Sequence, residues 1–367
     1  LTILIICERK SSKDVLKEVA TNALLSLLAV SKNAQKSALE VDLINSCIEN
    51  MKDIHAQLNL DSLKAGKAQK KKLICLFSLF VCFLEMAALK THLVPVLHSL
   101  WPWFLMDDSS MQIALHLLCV YTTNYPAGCT SLCWASGGQS PSLPPARNAA
   151  GNSLMHNILK LASHVSNDNS PIQQVVFCLL SNLALSHDCK GIIQKSNFLQ
   201  NFLFLSLPKG SNKNPGNVST PWLKLLLNIS FGEDGQQMIM KINGFLDQIV
   251  EMCKYKHKSS QHLALLILHN VCFNTTNKPK ILANDKAVAV LSGCLESDSC
   301  GVRRIGAASL WALLHNYQKA KVTLKNPSIR RIIDEAYSLA KKSKSYFQLI
   351  PVLCFFVNQI MNTFQFI

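Results

Sequence analysis

Asparagine is the residue whose type and spacing most suggest chemistry in this chain of 367 residues. Asn182, Asn228 and Asn270 each follow a leucine-rich run at steps of 46 and 42 residues, and His315 stands 45 residues further on. A side-chain amide carries a donor and an acceptor, so a row of amides can bind the backbone of an extended peptide. The same amides can instead cap helices or bridge neighbouring ones. We name Asn182, Asn228, Asn270 and His315 as candidate partner-binding residues and keep the structural role open.

Groups for catalysis do not converge in the sequence. His187, Asp188 and Cys189 resemble parts of a cysteine–histidine dyad, but adjacent residues point in different directions and nucleophilic catalysis needs convergence in space. The stretch "GGQSPS" lacks the lysine and the strand-to-helix context of a phosphate-binding loop. We expect no enzyme, no cofactor and no small-molecule substrate.

The 14 cysteines predict free thiols rather than a disulfide framework. Several lie in apolar helical runs, where cysteine behaves as a small hydrophobic residue. Cys129 and Cys133 are four residues apart, with no second pair downstream to complete a tetrahedral zinc site. We expect buried thiols in a reducing compartment and no bound metal.

The positive charge does not by itself predict a nucleic-acid-binding protein. The net charge is +15, but only six of the 37 basic residues are arginine, the side chain best suited to bidentate recognition of phosphates and bases. Scattered lysines on solvated helix faces explain the charge more simply. We expect no specific nucleic-acid partner; binding through lysine would show a steep dependence on salt.

The three asparagines belong to a leucine-rich segment that recurs along the chain. Its apolar residues have helical spacing, and a period in the forties is the signature of armadillo and HEAT arrays. Each repeat is too small to bury its apolar face alone, so neighbours must stack into a continuous core. The sequence therefore predicts an all-α fold, an armadillo/HEAT-like right-handed superhelical solenoid of about seven helical repeats. The copies lie at 24–35, 76–87, 115–126, 179–190, 225–236, 266–277 and 310–321.

Local signals place helix boundaries within these repeats. Ser170 before Pro171, Thr220 before Pro221 and the run 107–110 each predict a helix start, because a capping side chain precedes the first turn. Polar breaks at 186–188, 232–234 and 274–276 predict tight turns between two helices.

The domain organisation follows from composition. We expect N-terminal armadillo-like repeats over 1–134 with a basic loop near 61–72, and C-terminal repeats over 154–345. Between them, 135–153 is rich in Gly, Ser and Pro and predicts a flexible insertion. An apolar tail at 346–367 departs from the repeat pattern.

One apolar run could suggest a membrane helix. Residues 73–84, "LICLFSLFVCFL", follow a lysine cluster, but Glu85 interrupts the run before the ~20 residues that a spanning helix needs. We expect a buried helix there and no membrane span.

Long stretches of the array resemble a known family. They are "VVFCLLSNLALSHDCKGIIQKSNFLQNFL", "PWLKLLLNISFGEDGQQMIMKINGFLDQIVEMC" and "GVRRIGAASLWALLHNYQKAKVTLKNPSIRRIIDEAYSLAKK". They are similar to the C-terminal armadillo-like region of very large scaffold proteins in the armadillo/HEAT-type superfamily, over roughly residues 8–348.

The resemblance implies a non-enzymatic scaffold at centrioles and ciliary basal bodies, in the cytoplasm and cytoskeleton. It implies roles in centriole maturation, cilium assembly and left–right axis specification, with centriolar or ciliary assembly proteins as partners. The alternative hypothesis is an armadillo adaptor that binds extended peptide cargo through a concave asparagine ladder.

Overall fold

The computed structural model describes residues 15–41, 43, 49, 93–133, 153–164, 171–196, 198–199, 219–254 and 258–314. The regular elements in these ranges are helices, with no β-strand among them. They fall into two compact units, one within Leu1–Ser196 and the other within Asn197–Ile367. The all-α prediction is confirmed.

The first unit contains helices of six to 16 residues. The longest of these helices carry the recurring leucine-rich segment. In chain order the helices are α1 (Val15–Val30), α2 (Lys32–Glu40), α3 (Leu93–Phe104), α4 (Asp108–Thr122), α5 (Pro126–Ser131), α6 (Leu154–His164), α7 (Pro171–Leu183) and α8 (His187–Lys195).

The second unit repeats a pattern of one long helix followed by shorter ones. A 3-10 turn at Cys294–Glu296 precedes the last described helix. The helices are α9 (Ser219–Ile229), α10 (Glu233–Met240), α11 (Phe245–Cys253), α12 (Lys258–Val271), α13 (Lys278–Leu282), α14 (Asp285–Gly293) and α15 (Cys300–Leu314).

The long helices α4 and α7 form the centre of the first unit. On α4, Leu115, Leu118 and Tyr121 are buried at helical spacing, which places them on one face. Helix α7, whose Phe177 and Leu180 are fully buried, packs directly against α4. Because α4 precedes the predicted insertion at 135–153 and α7 follows it, helices from both sides of the insertion share one unit.

Helix α12 is the centre of the second unit and is buried on every side. Its run from Leu263 to Leu268 has no exposed residue, because α9, α10, α11 and α15 all pack against it. A helix that is apolar all round belongs in a core of this kind. This explains why the sequence there reads as an unbroken apolar run.

The helix starts mostly follow the predicted capping signals. Asp107 caps α4. Its carboxylate accepts two hydrogen bonds from Ser110, one from the backbone N–H at 3.0 Å and one from the side-chain hydroxyl at 2.6 Å. Helix α7 begins at Pro171 as predicted. Helix α9 begins at Ser219, earlier than predicted. Pro221 therefore lies inside the first turn, where its missing N–H would have had no intrahelical partner.

The polar breaks are shorter than predicted. Helix α8 already begins at His187 and α10 at Glu233, so Asp188, Glu233 and Asp234 lie in first turns rather than in loops. Carboxylates are favourable there because the amino end of a helix carries partial positive charge.

Several predictions fall on residues that the structure does not describe. They are the basic loop at 61–72, the apolar run at 73–84, most of the insertion at 135–153, His315 and the tail at 346–367. The predicted domain boundaries stay a prediction.

Candidate partner-binding surface

The described asparagines of the predicted row all lie near the carboxyl ends of long helices. Asn182 is in α7, Asn228 in α9 and Asn270 in α12, each one residue before the helix ends. Asn228 and Asn270 are buried, whereas Asn182 is half-buried. The three therefore occupy the same position of their repeats, as their sequence spacing predicts.

In the first unit, the amide of Asn182 bonds to the preceding long helix. Its Nδ2 donates to the carbonyl oxygen of Cys119 at 3.1 Å and to the hydroxyl oxygens of Thr123 at 3.2 Å and Thr122 at 3.4 Å. These acceptors lie at and just beyond the end of α4, where helix carbonyls lack intrahelical partners. Asn182 thus completes the carboxyl end of a neighbouring helix.

In the second unit, Asn270 makes the corresponding bond. Its Nδ2 donates to the Ser230 hydroxyl oxygen at 2.8 Å. Ser230 lies two residues after Asn228, as Cys119 lies two residues after Leu117. Both asparagines therefore donate to the equivalent position of the preceding repeat. The acceptor is a backbone carbonyl oxygen in the first unit and a serine hydroxyl oxygen in the second.

A buried polar seam continues from Asn270 in the second unit. Gln236 donates from Nε2 to the Ser230 carbonyl oxygen at 3.1 Å, and Asn277 donates to the Gln236 carbonyl oxygen at 3.3 Å. All of these residues are buried. Buried amides that find partners add stability and fix one arrangement of the helices, since leaving them unpaired is costly. The seam therefore ties α9, α10 and α13 to the end of α12.

Exposed apolar side chains follow the same long helices. Each lies three residues after an asparagine of the row and two residues after the end of its helix. They are Leu185, Phe231 and Phe273, whose exposed fractions are 53%, 39% and 42%. Single exposed apolar residues are common, but recurrence at one position of successive repeats is not explained by chance exposure. The signal was present in the sequence as an apolar residue directly before each polar break.

His269, beside Asn270, is a buried neutral base. Its Nδ1 lies 3.2 Å from the Ser309 hydroxyl oxygen, and its ring stacks edge-on against Phe273 with centroids 4.9 Å apart. Burial lowers its pKa from 6.5 to about 4. Because the Ser309 hydroxyl donates to the Ile305 carbonyl oxygen at 2.7 Å, its oxygen is left to accept, so Nδ1 carries the imidazole proton.

The residues that suggested a cysteine–histidine dyad do not form one. The His187 side chain is 94% exposed and its Nδ1 lies 3.8 Å from the Asp188 carboxylate. Cys189 is fully buried and its sulfur lies beside that of Cys133. The imidazole and the thiol therefore face different surroundings, and no proton transfer between them is available in this geometry.

No three His, Cys, Asp or Glu side chains gather as metal ligands within the described ranges. No helix among the described residues has the length and apolar character to cross a bilayer.

Two curated relatives match the chain along nearly its whole length, whereas no protein-family profile matches it. Rotatin from Homo sapiens is 60% identical over 374 residues, which cover 98% of this chain. Rotatin from Mus musculus is 58% identical over 380 residues, which cover 99%. The chain spans 17% of the length of each relative.

Solved structures with low sequence identity share the fold. An engineered protein aligns with a TM-score of 0.66 and 15% identity over 91% of this chain and 76% of its own length. A designed armadillo repeat protein in complex with the peptide (KR)4 aligns with a TM-score of 0.51 and 14% identity, over 66% of this chain and 99% of its own. Identity this low supports the fold alone, and the armadillo-type assignment is confirmed.

Proposed function

Because the chain is homologous to the C-terminal region of rotatin and folds as an armadillo-type helical array, we propose that it is a non-enzymatic scaffold that binds other proteins. Its place is the centriole and the ciliary basal body. Its roles are in centriole maturation, cilium assembly and left–right axis specification. The single observation that carries the proposal is the identity of 60% over nearly the whole chain.

Exposed apolar side chains are present in each unit and suit protein partners. Leu185, Phe231 and Phe273 recur at one position of successive repeats and keep a large part of each side chain in water. Exposed apolar side chains on a repeat array are the usual anchors of protein interfaces, since their burial by a partner is favourable. The partners proposed here are centriolar or ciliary assembly proteins whose apolar side chains pack against Leu185 in the first unit or against Phe231 and Phe273 in the second.

The second candidate function is an adaptor that binds extended peptide cargo through Asn182, Asn228, Asn270 and His315. It is favoured by the peptide-bound designed armadillo protein of similar fold and by the half-exposed position of Asn182. Against it, the amides of Asn182 and Asn270 donate to neighbouring helices. The net charge of +15 also disfavours basic cargo. The scaffold is therefore the preferred function.

The scaffold proposal is tested by locating the full-length protein that contains this chain. A fluorescent fusion in ciliated cells should concentrate at centrioles and basal bodies. The double variant Leu185→Ser, Phe231→Ser should reduce that signal, because it removes two exposed apolar anchors while leaving the buried core intact.

Leu105→Ser is the matched control. Leu105 is 57% exposed but lies outside the recurring position, so its replacement should leave the location unchanged. A diffuse nuclear signal or a secretory signal from the unmodified fusion would overturn the centriolar assignment. Equal loss of signal in the double variant and the control would show that Leu185 and Phe231 do not bind the partner.

A further inference from the structure

Two cysteines that are distant in sequence meet in the first unit. Cys133 follows the end of α5 and Cys189 lies in the first turn of α8, and their sulfur atoms are 3.2 Å apart. Both are free thiols. A disulfide has its sulfurs about 2 Å apart, so the separation must shorten by little more than ~1 Å for a bond to form.

The surroundings give the two sulfurs different access to solvent. Cys133 is half-buried, whereas Cys189 is fully buried and also lies 3.2 Å from the Cys129 carbonyl oxygen. The Cys129 sulfur is directed elsewhere, 3.4 Å from the Thr122 carbonyl oxygen. The close contact is therefore a pair, with one half-buried member and one fully buried member.

The electrostatic surroundings separate this pair from the other buried thiols. A hydrogen bond from the Cys133 thiol lowers the pKa of Cys189 against the opposing effect of burial, and a hydrogen bond from Ser186 lowers it further. The same contact raises the pKa of Cys133. Burial instead raises the pKa of Cys294 to about 11. Cys189 is thus the sulfur of the pair that more readily becomes a thiolate, the reactive form of cysteine.

We propose that Cys133 and Cys189 are a reversible oxidation site, at which a disulfide joins the end of α5 to the start of α8. The inference rests on this geometry and is independent of the scaffold function. The bond would join neighbouring helices of the first unit, since α5 and α8 already pack against each other. It would also close a loop that contains the insertion predicted at 135–153.

The oxidant is a hydroperoxide, which accepts two electrons. In the first step the Cys189 thiolate attacks the peroxide. The O–O bond breaks, the Cys189 sulfur becomes a sulfenic acid, and an alcohol, or water from hydrogen peroxide, leaves with the proton that Cys189 had released. In the second step the Cys133 sulfur attacks the Cys189 sulfur, so the S–S bond forms and the S–O bond breaks. Hydroxide leaves and combines with the Cys133 proton as water. Both sulfurs are oxidised and the peroxide is reduced.

The test treats the whole chain with hydrogen peroxide, blocks remaining thiols, and maps linked peptides by mass spectrometry without reduction. The expected product is one peptide pair joined through Cys133 and Cys189, which dithiothreitol separates. Oxidation should also raise the midpoint of thermal unfolding of the first unit by roughly 5 °C, because a closed loop restricts the unfolded chain. The rise should disappear in Cys133→Ser.

Cys300→Ser is the matched control, since Cys300 is an exposed free thiol that lies in the second unit. This variant should form the Cys133–Cys189 link as the unmodified chain does. The proposal is overturned if Cys300 is fully oxidised while Cys133 and Cys189 still react with the blocking reagent. It is equally overturned if Cys133 links to Cys129 instead. Neither outcome depends on whether a variant folds, because both are read from the unmodified chain.

Discussion

At the scale of single residues, several polar side chains of the long helices are parts of the core. His269 is 1% exposed and Ser309 is fully buried, and the imidazole donates from Nδ1 to the serine hydroxyl. Its Nε2 is buried with no hydrogen-bond partner among the described residues. A proton on that nitrogen would place an unpaired charge in the core, which is the physical cause of the lowered pKa.

We expect His269 to make the second unit sensitive to acid. The unfolded chain binds a proton near pH 6.5 but the folded chain only near pH 4. The unfolded state therefore holds more protons in this window, and stability falls as the pH falls through it. The full loss is about 3 kcal/mol in the free energy of unfolding. Urea unfolding from pH 7 to pH 5 should show part of this loss, and His269→Leu should show less of it.

The control for this measurement is His187→Leu, which removes an exposed imidazole instead of a buried one. Its decline in stability with acid should follow that of the unmodified chain. Parallel declines in the unmodified chain and in His269→Leu would mean that another group is responsible.

At the scale of helices, the second unit depends on close approach between the long helix α9 and the short helix α10 that follows it. A Cβ atom at Gly235, in the first turn of α10, would lie 1.7 Å from the carbonyl oxygen of Ile229 at the end of α9. That obstacle is backbone and cannot rotate away. Only glycine therefore allows the chain to reverse so tightly between these two helices.

Gly235→Ala should destabilise the second unit by about 2–4 kcal/mol, because one of the two helices must move and disturb the buried seam. Gly293→Ala is the matched control, since a Cβ there meets nothing within 4 Å. It should change stability by less than about 1 kcal/mol. Denaturant midpoints for the two variants check the prediction. An equal effect at both positions would contradict the close approach of α9 and α10.

At the scale of the whole chain, the asparagine row is repeated in both units and links successive long helices within each. The triple variant Asn182→Ala, Asn228→Ala, Asn270→Ala should lower the stability of both units, by about 1–3 kcal/mol for each bonded amide. We expect the midpoint of urea unfolding to be lower in each unit. Asn243→Ala, at an exposed position, is the control for the same chemical change.

The same variant separates the two candidate functions. An unchanged urea midpoint, together with loss of a bound peptide, would favour the adaptor over the scaffold. Loss of stability would instead support the structural role of the row that its hydrogen bonds suggest.

Much of the fold could be predicted from local patterns. Helical spacing of leucines, the recurrence of one segment and the capping residues before α4 and α7 are properties of short stretches, and a helix forms its backbone hydrogen bonds within such stretches. The position of Asn182, Asn228 and Asn270 near helix ends was predictable for the same reason. The early start of α9 was not, because proline is tolerated anywhere in a first turn.

What the sequence determined by itself was therefore the kind of element and its period. The tertiary structure alone decided which side chains meet. The first residues of successive copies are 39 to 64 residues apart, so no fixed spacing relates Asn182 to Cys119 or Cys133 to Cys189. Their contacts, and the exposure of Phe231, depend on how whole helices pack. Such packing is set by the burial of complete helix faces against one another. A single stretch of sequence supplies only one of the two helices in each packed pair.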